Sequence, residues 1–261
     1  MRIACRISPG RKRLSKMAVT SDIVTEVRLR VQRARSVAVL TGAGVSAESG
    51  VPTFRGANGL WRSYRAEQLA TPQAFARDPV LVWRWYDWRR QRIAACCPNP
   101  AHAALAALER TVPDFLLITQ NVDGLHRQAG STALVELHGN LWRVRCTAEE
   151  TVQDLPAVLI DTIPPCCACG ALQRPDVVWF GEPLSEAAVT RASQAAERCE
   201  VMLVVGTSLL VHPAAALPAL AKRRGAYLVE VNVEPTPVTA YADAAFQQPA
   251  GIVLPRLMHS C

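Results

Sequence analysis

A glycine-rich segment, GAGVSA, occupies residues 42–47 and has the spacing of a turn that binds a dinucleotide. It follows a hydrophobic run, and glycines at such a junction let backbone N–H groups approach a pyrophosphate. Short glycine patterns also occur in ordinary strand-to-helix turns, so the segment alone leaves both interpretations open. No strand ending in Asp or Glu follows about twenty residues later, which disfavours a conventional dehydrogenase.

Polar residues follow three other hydrophobic runs. The segments are TQNVDGLH (119–126), GTSLLVHP (206–213) and VNVEPTP (231–237). Any one of them could be ordinary turn chemistry. Because the carboxyl ends of parallel strands meet at one edge of a sheet, the three together predict one convergent site beside the glycine turn.

Four of the nine cysteines are clustered in sequence and could hold a metal ion. Cys166 and Cys169 form a Cys-x-x-Cys pair downstream of Cys146, and thiolates in such pairs close tetrahedral zinc sites. Glu149 stands where a second early cysteine is expected, so Glu149 or Cys167 would have to complete the shell. We expect zinc on Cys146, Cys166 and Cys169; the alternative is a degenerate loop that folds by packing alone.

The net charge of +7 is concentrated at the N-terminus. Residues 1–16 hold six Lys or Arg and no Asp or Glu, which leaves 23 basic against 22 acidic residues elsewhere. This near-neutral remainder argues against sequence-specific nucleic-acid binding. The tail could be an organelle address, a phosphate-contacting arm or a disordered extension ahead of a start at Met17, and we favour the last.

The cysteine count and the hydropathy indicate a cellular setting. An odd number of cysteines without a signal peptide favours reduced thiols over disulfides. No run approaches eighteen apolar residues, so a membrane span is not expected. A bacterial-type cytoplasmic protein is the expectation, with a mitochondrial location only if the basic N-terminus is a transit peptide.

The segment LVWRWYDWRRQR, residues 81–92, could contact nucleic acid or a small acidic ligand. Asp78-Pro79 before it is typical of a helix start, and on a helix Tyr86 and Arg89 share a face. The near-neutral charge of the remainder favours the small ligand. Its tryptophans, Trp83, Trp85 and Trp88, are expected to pack the helix against its neighbours.

The elements that must position these residues alternate along the chain. Hydrophobic runs predict buried strands at 36–41, 115–120, 201–207, 226–232 and 251–254. Helical patterns fall at 22–35, 80–95, 100–110, 185–198 and 213–223. The alternation predicts a doubly wound α/β fold with a parallel sheet, and 54–100 and 139–182 interrupt it as inserts that form a smaller second domain.

Five segments resemble, in order, the signature blocks of the sirtuins, which are NAD-dependent protein-lysine deacylases. They are GAGVSAESGVPTFRG, TQNVDGLH, LHGN, RPDVVWFGE and GTSLLVHPAA, and the resemblance extends over about residues 30–255. It implies a Rossmann-like NAD-binding domain (17–53, 101–138 and 183–261) and a small helical and zinc-binding domain (54–100 and 139–182). NAD and an acyl-lysine protein or peptide would lie in the cleft between them.

The resemblance assigns the NAD contacts position by position. The glycine turn and the loop after it would surround the phosphates and the nicotinamide ribose, through Gly42, Ala43, Gly44, Ser46, Ala47, Thr53, Phe54, Arg55 and Trp61. Gln120, Asn121 and Asp123 would surround the nicotinamide and ribose. The adenosine half would be held by Gly206, Thr207, Ser208, Asn232, Val233 and Glu234, with Ala250 beside the adenine.

The resemblance implies that His138, which follows the strand-like LVEL and precedes Gly139, is the general base. A lone histidine is usually structural, and only the surrounding blocks reverse that expectation. In the implied reaction the substrate amide oxygen displaces nicotinamide to give an alkylimidate. His138 then helps a ribose hydroxyl attack it, and water frees lysine and O-acyl-ADP-ribose.

Tyr86 and Arg89 reproduce the Tyr-x-x-Arg pair of class III sirtuins, which prefer succinyl, malonyl and glutaryl groups. Thr53 agrees with this class, because other branches commonly have Asp there. A guanidinium fork and a phenol can bind the carboxylate of an acidic acyl chain. The alternatives are an ADP-ribosyltransferase, a deacylase with another acyl preference, and a non-enzymatic NAD-binding module.

Overall fold

Six parallel strands form the larger sheet of the computed structural model, which describes residues 21–51, 66–156, 160 and 162–258. The strands are β1 (Ser36–Thr41), β2 (Asp114–Thr119), β3 (Leu134–Glu136), β7 (Val201–Val205), β8 (Tyr227–Val231) and β9 (Ala244–Phe246). Their order is β3-β2-β1-β7-β8-β9, which is the Rossmann arrangement. The direction of the strand order changes between β1 and β7, and ligands bind beyond the carboxyl ends of strands at such a point.

Helices cover both faces of this sheet, which is why its central strands are nearly continuous runs of Val, Leu and Ile. One face packs against α1 (Ser21–Arg33), α5 (Pro100–Glu109) and α9 (Ala250–Met258), and the other against α7 (Glu186–Arg198) and α8 (Leu217–Arg223). Leu40 and Leu203 are fully buried on opposite faces. Burial of one such side chain stabilises the fold by about 1.5–3 kcal/mol.

A three-stranded antiparallel sheet and a group of helices build a separate hydrophobic cluster. The strands are β4 (Gly139–Cys146), β5 (Val152–Asp154) and β6 (Gln173–Val177), in the order β5-β4-β6. Its helices are α2 (Ala66–Leu69), α3 (Pro72–Arg77) and α4 (Pro79–Ala94). The short α6 (Leu125–Gln128) does not belong to this group and follows β2 of the large sheet. Trp83, Leu141 and Trp179 lie in the cluster. The proposed domain boundaries run between the two groups of strands and stay a prediction.

The helices α4 and α5 both begin at side chains that cap their first turn. Asp78 accepts a hydrogen bond from the Leu81 amide at 2.9 Å and begins α4, as expected. Asn99 caps α5, where its own backbone N–H donates to His102 Nδ1 at 3.2 Å. This capping box fixes the ring of His102 as well as the start of the helix.

The predicted strand at 251–254 is wrong, because these residues belong to α9. Ala250, Val253, Leu254 and Leu257 are buried while Ile252 is half exposed, which is the spacing of one helical face. The edge strand β9 is three residues long and was not predicted. Trp88 also departs from expectation, since it is 41% exposed while Trp83 and Trp85 are buried.

Within the described part of the chain, no helix combines the length and the apolar character needed to cross a bilayer.

Candidate active site

The glycine turn after β1 packs backbone to backbone against the loop after β7. The Gly44 amide donates to the Gly206 carbonyl at 2.8 Å, and a Cβ on Gly44 would lie 2.8 Å from Gly206 Cα. Gly206 itself has a φ of +59°, and its Cβ would lie 2.3 Å from the Val45 nitrogen. Only glycine tolerates this approach, so the close contact between the two loops explains why glycine occupies both positions.

A buried polar network lies beneath the turn. The Ser46 hydroxyl donates to Asp123 Oδ2 at 2.8 Å. The side-chain amide of Asn121 donates to Ser46 Oγ at 3.2 Å and to the Gly42 carbonyl at 3.1 Å. Asp123 also accepts from the Leu125 amide at 2.9 Å. Burial raises the pKa of Asp123, although these two hydrogen bonds oppose it. The network joins the segment after β2 to the glycine turn and fixes their relative positions.

Two buried histidines complete this network. The His102 Nδ1 accepts a hydrogen bond from the Asn99 backbone N–H, so Nε2 carries the hydrogen of the neutral ring. This Nε2 faces Ser46 Oγ at 3.3 Å. The His126 Nε2 lies 3.0 Å from Thr41 Oγ1, and the two rings are 4.7 Å apart. Burial lowers the pKa of His102 to about 4 and that of His126 to about 3. Both rings are therefore neutral at pH 7.

His138 lies at the cleft wall with its tautomer defined by one contact. Its Nδ1 is 2.9 Å from the Gln120 carbonyl oxygen, which can only accept, so Nδ1 donates and Nε2 is left as the basic atom. Burial lowers the pKa of His138 and this hydrogen bond opposes the shift. The next residue, Gly139, has a φ of +80°, and a Cβ there would lie 2.1 Å from the Asp176 carbonyl.

A cleft of about 1420 Å³ runs along the carboxyl edge of the large sheet to α4 and β6. Most of the described residues that the sequence analysis named line it: Gly42, Ala43, Gly44, Ala47, Tyr86, Arg89, Gln120, Asn121, His138, Gly206, Thr207, Ser208, Asn232, Val233, Glu234 and Ala250. Ser46 and Asp123 are buried behind the wall. Thr53, Phe54, Arg55 and Trp61 lie outside the described residues. The structure thus brings together residues from chain-distant strand ends.

Tyr86 and Arg89 face the cleft from one side of α4. The Arg89 guanidinium lies 4.9 Å from the Trp85 ring centroid and 5.6 Å from that of Tyr86. Burial raises the pKa of Tyr86 to about 12 and lowers that of Arg89. A neutral phenol and a largely desolvated guanidinium therefore meet at this end of the cleft.

Three residues of the site were not singled out by sequence reasoning. Neither His102 nor His126 was selected from the sequence, and their network became visible only when the loops were brought together. Trp179 lies inside the quoted block RPDVVWFGE, and its indole N–H donates to Tyr86 Oη at 2.9 Å. The block was the available signal, but nothing in it indicated a contact with a helix more than ninety residues earlier.

Three thiols and one carboxylate form a compact group at the end of β4. The ligand atoms of Cys146, Glu149, Cys167 and Cys169 all lie within 4.8 Å of one another, and thiolates around a tetrahedral zinc are about 3.8 Å apart. Cys146 Sγ and Cys169 Sγ are 3.5 Å apart, so the group fits the ion in size and chemistry. Cys166, an expected ligand, lies outside the group and pairs through its backbone with Leu172, and Cys167 is present instead.

Comparison with known proteins agrees with this geometry. A sequence model of the Sir2 family matches residues 42–213. The NAD-dependent protein deacylase 2 of Pyrobaculum aerophilum is 55% identical over 224 residues, which cover 86% of this chain and 90% of the relative.

Solved structures of the same family superpose on the chain. A Sir2 homolog–NAD complex has 46% identity and a TM-score of 0.85, and the match covers 90% of this chain and 92% of that one. A Sir2 variant with a deacetylated p53 peptide and 3′-O-acetyl ADP-ribose has 34% identity and a TM-score of 0.82, with coverage of 90% and 97%. The family match and the identity to the relative show that the chain belongs to the Sir2 family, the sirtuins.

Proposed function

We propose that the protein removes acyl groups from protein lysines and consumes NAD, releasing nicotinamide and O-acyl-ADP-ribose. The observation that carries the proposal is the orientation of His138, whose hydrogen bond to Gln120 leaves Nε2 as a base at the cleft wall. The relative named a deacylase and the solved complexes with NAD and with acetyl ADP-ribose support the same reaction.

Each part of the cleft has a separate task in this proposal. The turn at Gly42–Gly44 and the loop at Gly206–Ser208 hold the phosphates and the adenosine half, with Asn232–Glu234 and Ala250 at the far end. Asn121 and the buried Ser46–Asp123 pair shape the nicotinamide and ribose end. NAD, when bound, supplies a good leaving group on the ribose carbon that the substrate oxygen attacks.

His138 acts on the ribose. Its neutral Nε2 accepts a proton from a ribose hydroxyl, so that this oxygen can attack the acyl carbon. Its Nδ1–H stays bonded to the Gln120 carbonyl, which stabilises the imidazolium that forms.

Nicotinamide release measured with acetyl-, succinyl- and malonyl-lysine peptides of one sequence tests the proposal. We expect release that requires both NAD and an acyl-lysine, with stoichiometric O-acyl-ADP-ribose. Transfer of labelled ADP-ribose to protein would instead indicate an ADP-ribosyltransferase. NAD binding without any nicotinamide release would indicate a non-enzymatic module.

We also propose a preference for acidic acyl groups, because Tyr86 and Arg89 together present a phenol and a guanidinium to the cleft. Burial removes water from the Arg89 guanidinium, and a substrate carboxylate supplies charge-assisted hydrogen bonds in its place. Such a bond is worth about 1.5–3 kcal/mol, which corresponds to roughly a ten- to hundredfold preference. An acetyl group has no partner for the guanidinium.

Arg89→Met is therefore expected to lower kcat/KM for succinyl-lysine by about ten- to hundredfold and to spare acetyl-lysine. Methionine keeps much of the apolar volume beside Trp85 and Tyr86 but offers no charge. The measurement compares both peptides with wild-type and variant enzyme. Equal loss of both activities would remove the assignment of Arg89 as the carboxylate ligand.

The cysteine group is proposed to bind one structural zinc ion through Cys146, Cys167, Cys169 and Glu149. Loss of a residue that only supports a metal ligand lowers metal affinity by about 10–100-fold. Cys167→Ser removes a ligand itself, so we expect zinc affinity to fall by at least that much. Cys166→Ser is the matched control and should bind zinc as the wild type does. Competition with a chelator, followed by thermal unfolding, measures both; the reverse pattern would return Cys166 to the ligand set.

A further inference from the structure

The Tyr86 hydroxyl is hydrogen-bonded by a buried tryptophan, Trp179, which lines the same cleft. Trp179 follows β6, is 3% exposed, and donates its indole N–H to Tyr86 Oη at 2.9 Å. An indole N–H can only donate. The Tyr86 hydroxyl therefore accepts in this bond, and its own hydrogen stays available for an acceptor in the cleft.

The indole is held in turn by an ion pair. The Arg174 guanidinium lies 3.4 Å from the centroid of the Trp179 ring, and its two terminal nitrogens bond Glu182 at 2.5 and 2.8 Å. Glu182 also accepts from the Trp179 backbone amide at 2.8 Å. Phe75 packs near the same ring at 5.3 Å. The Trp179 ring is thus packed against a guanidinium, and the backbone N–H of the same residue is hydrogen-bonded to a carboxylate.

We propose that Trp179, clamped by Arg174 and Glu182, is a positioning residue for acyl selectivity that presents Tyr86 as a hydrogen-bond donor to an acidic acyl group. The proposal rests on the acidic-acyl preference proposed above. Without the indole bond, the Tyr86 hydroxyl can turn its hydrogen toward the protein, and a carboxylate acceptor loses its partner. An acetyl group has no terminal acceptor, so activity on acetyl-lysine does not depend on this hydrogen bond.

The charge state of Tyr86 agrees with a donor role. Burial raises its pKa to about 12, so the phenol keeps its hydrogen throughout the physiological range. A phenolate would repel an acidic acyl group, whereas a neutral phenol that accepts a hydrogen bond from the indole becomes a stronger donor through polarisation.

Trp179→Phe tests the proposal, since phenylalanine keeps an aromatic face against Arg174 but removes the N–H. We expect kcat/KM for a succinyl-lysine peptide to fall about fivefold, as loss of one hydrogen bond implies, mainly through KM. The acetyl-lysine value should change by less than about twofold. Trp88→Phe is the matched control, because Trp88 lies on the same helix as Tyr86 and is 41% exposed.

A double-mutant comparison separates positioning from a direct or general role. If Trp179 acts through Tyr86, Tyr86→Phe and the Tyr86→Phe/Trp179→Phe pair should have the same succinyl activity. Additive losses would overturn the proposal, as would equal loss of both acyl activities in Trp179→Phe. Glu182→Gln, which weakens the clamp without removing the indole, should give a smaller loss with the same selectivity.

The activity of the wild-type enzyme on acetyl- and succinyl-lysine peptides distinguishes failure of this proposal from failure of the proposed function. Wild-type enzyme that prefers acetyl- over succinyl-lysine would contradict the acidic-acyl preference, and the positioning role falls with it. Wild-type enzyme that prefers succinyl-lysine, combined with an unchanged Trp179→Phe profile, would contradict the positioning role alone.

Discussion

His138→Ala is expected to lower the kcat of NAD-dependent deacylation by about 10²–10⁴-fold, the usual contribution of a positioned general base. The methyl group of alanine cannot take a proton from the ribose in the place of His138 Nε2. The KM for NAD should change little, because the glycine loops and the residues after β8 are not altered by the substitution. Steady-state rates of O-acyl-ADP-ribose formation measure the effect.

His138→Gln provides the matched control for this result. A glutamine side chain can still donate to the Gln120 carbonyl that now accepts from His138 Nδ1, but its amide is not a base at neutral pH. Both variants should therefore be equally inactive although both stay folded. Near-normal activity in His138→Gln would mean that the ring only supports the loop at 120–123, and the base would have to be sought elsewhere.

The pH dependence follows from the same ring. Burial lowers the pKa of His138 below its ordinary value, and in the proposed reaction the neutral form is the active one. The plateau of kcat/KM should therefore extend to pH values below 6.5 before activity declines. A plateau that ends above pH 7 would contradict the burial seen at the cleft wall.

The sequence predicted the parts of the fold that depend on local pattern. β1 and β2 are runs buried on both faces, and α4 begins at a capping aspartate followed by proline; each was found within one residue of its expected place. The segment 250–258 was misread because the short run GIVL has no alternation that separates strand from helix. Its helical spacing appears only when Leu257 is included.

The site was predictable where a motif supplies the residue and unpredictable where packing does. The glycine turn, Gln120, Asn121 and His138 stand in recognisable blocks, and the structure brings them to one cleft. The choice between Cys166 and Cys167 depends on which thiol a tight turn directs at Cys146, and the spacing of cysteines does not determine that. Trp179 reaches Tyr86 only through the contact between β6 and α4.

The buried histidine pair predicts an unusual loss of stability at mildly acidic pH. Burial lowers the pKa of His102 to about 4 and of His126 to about 3, whereas both rings titrate near 6.5 in the unfolded chain. Above pH 6.5 neither state takes up a proton. Below it only the unfolded state does, so the free energy of unfolding falls as the pH drops toward the folded-state pKa values.

The expected slope approaches about 1.4 kcal/mol per pH unit for each buried ring near pH 5, between the unfolded and the folded pKa values. Other groups contribute as well: the lowered pKa of His138 acts in the same sense, and the raised pKa of Asp123 acts in the opposite one. Comparison of variants isolates the pair from these contributions. Denaturant unfolding at a series of pH values gives the slope for each protein.

His126→Gln should reduce that slope by about 1.4 kcal/mol per pH unit, whatever its effect on stability at pH 7. The side chain bonds Thr41 through Nε2, and within the described residues its Nδ1 has no hydrogen-bond partner. Protonation of Nδ1 in the folded state would therefore place an uncompensated charge beside His102, 4.7 Å away. Identical slopes for wild type and His126→Gln would mean that the ring accepts its proton in the folded state, and the neutral network beneath the glycine turn would then be wrong.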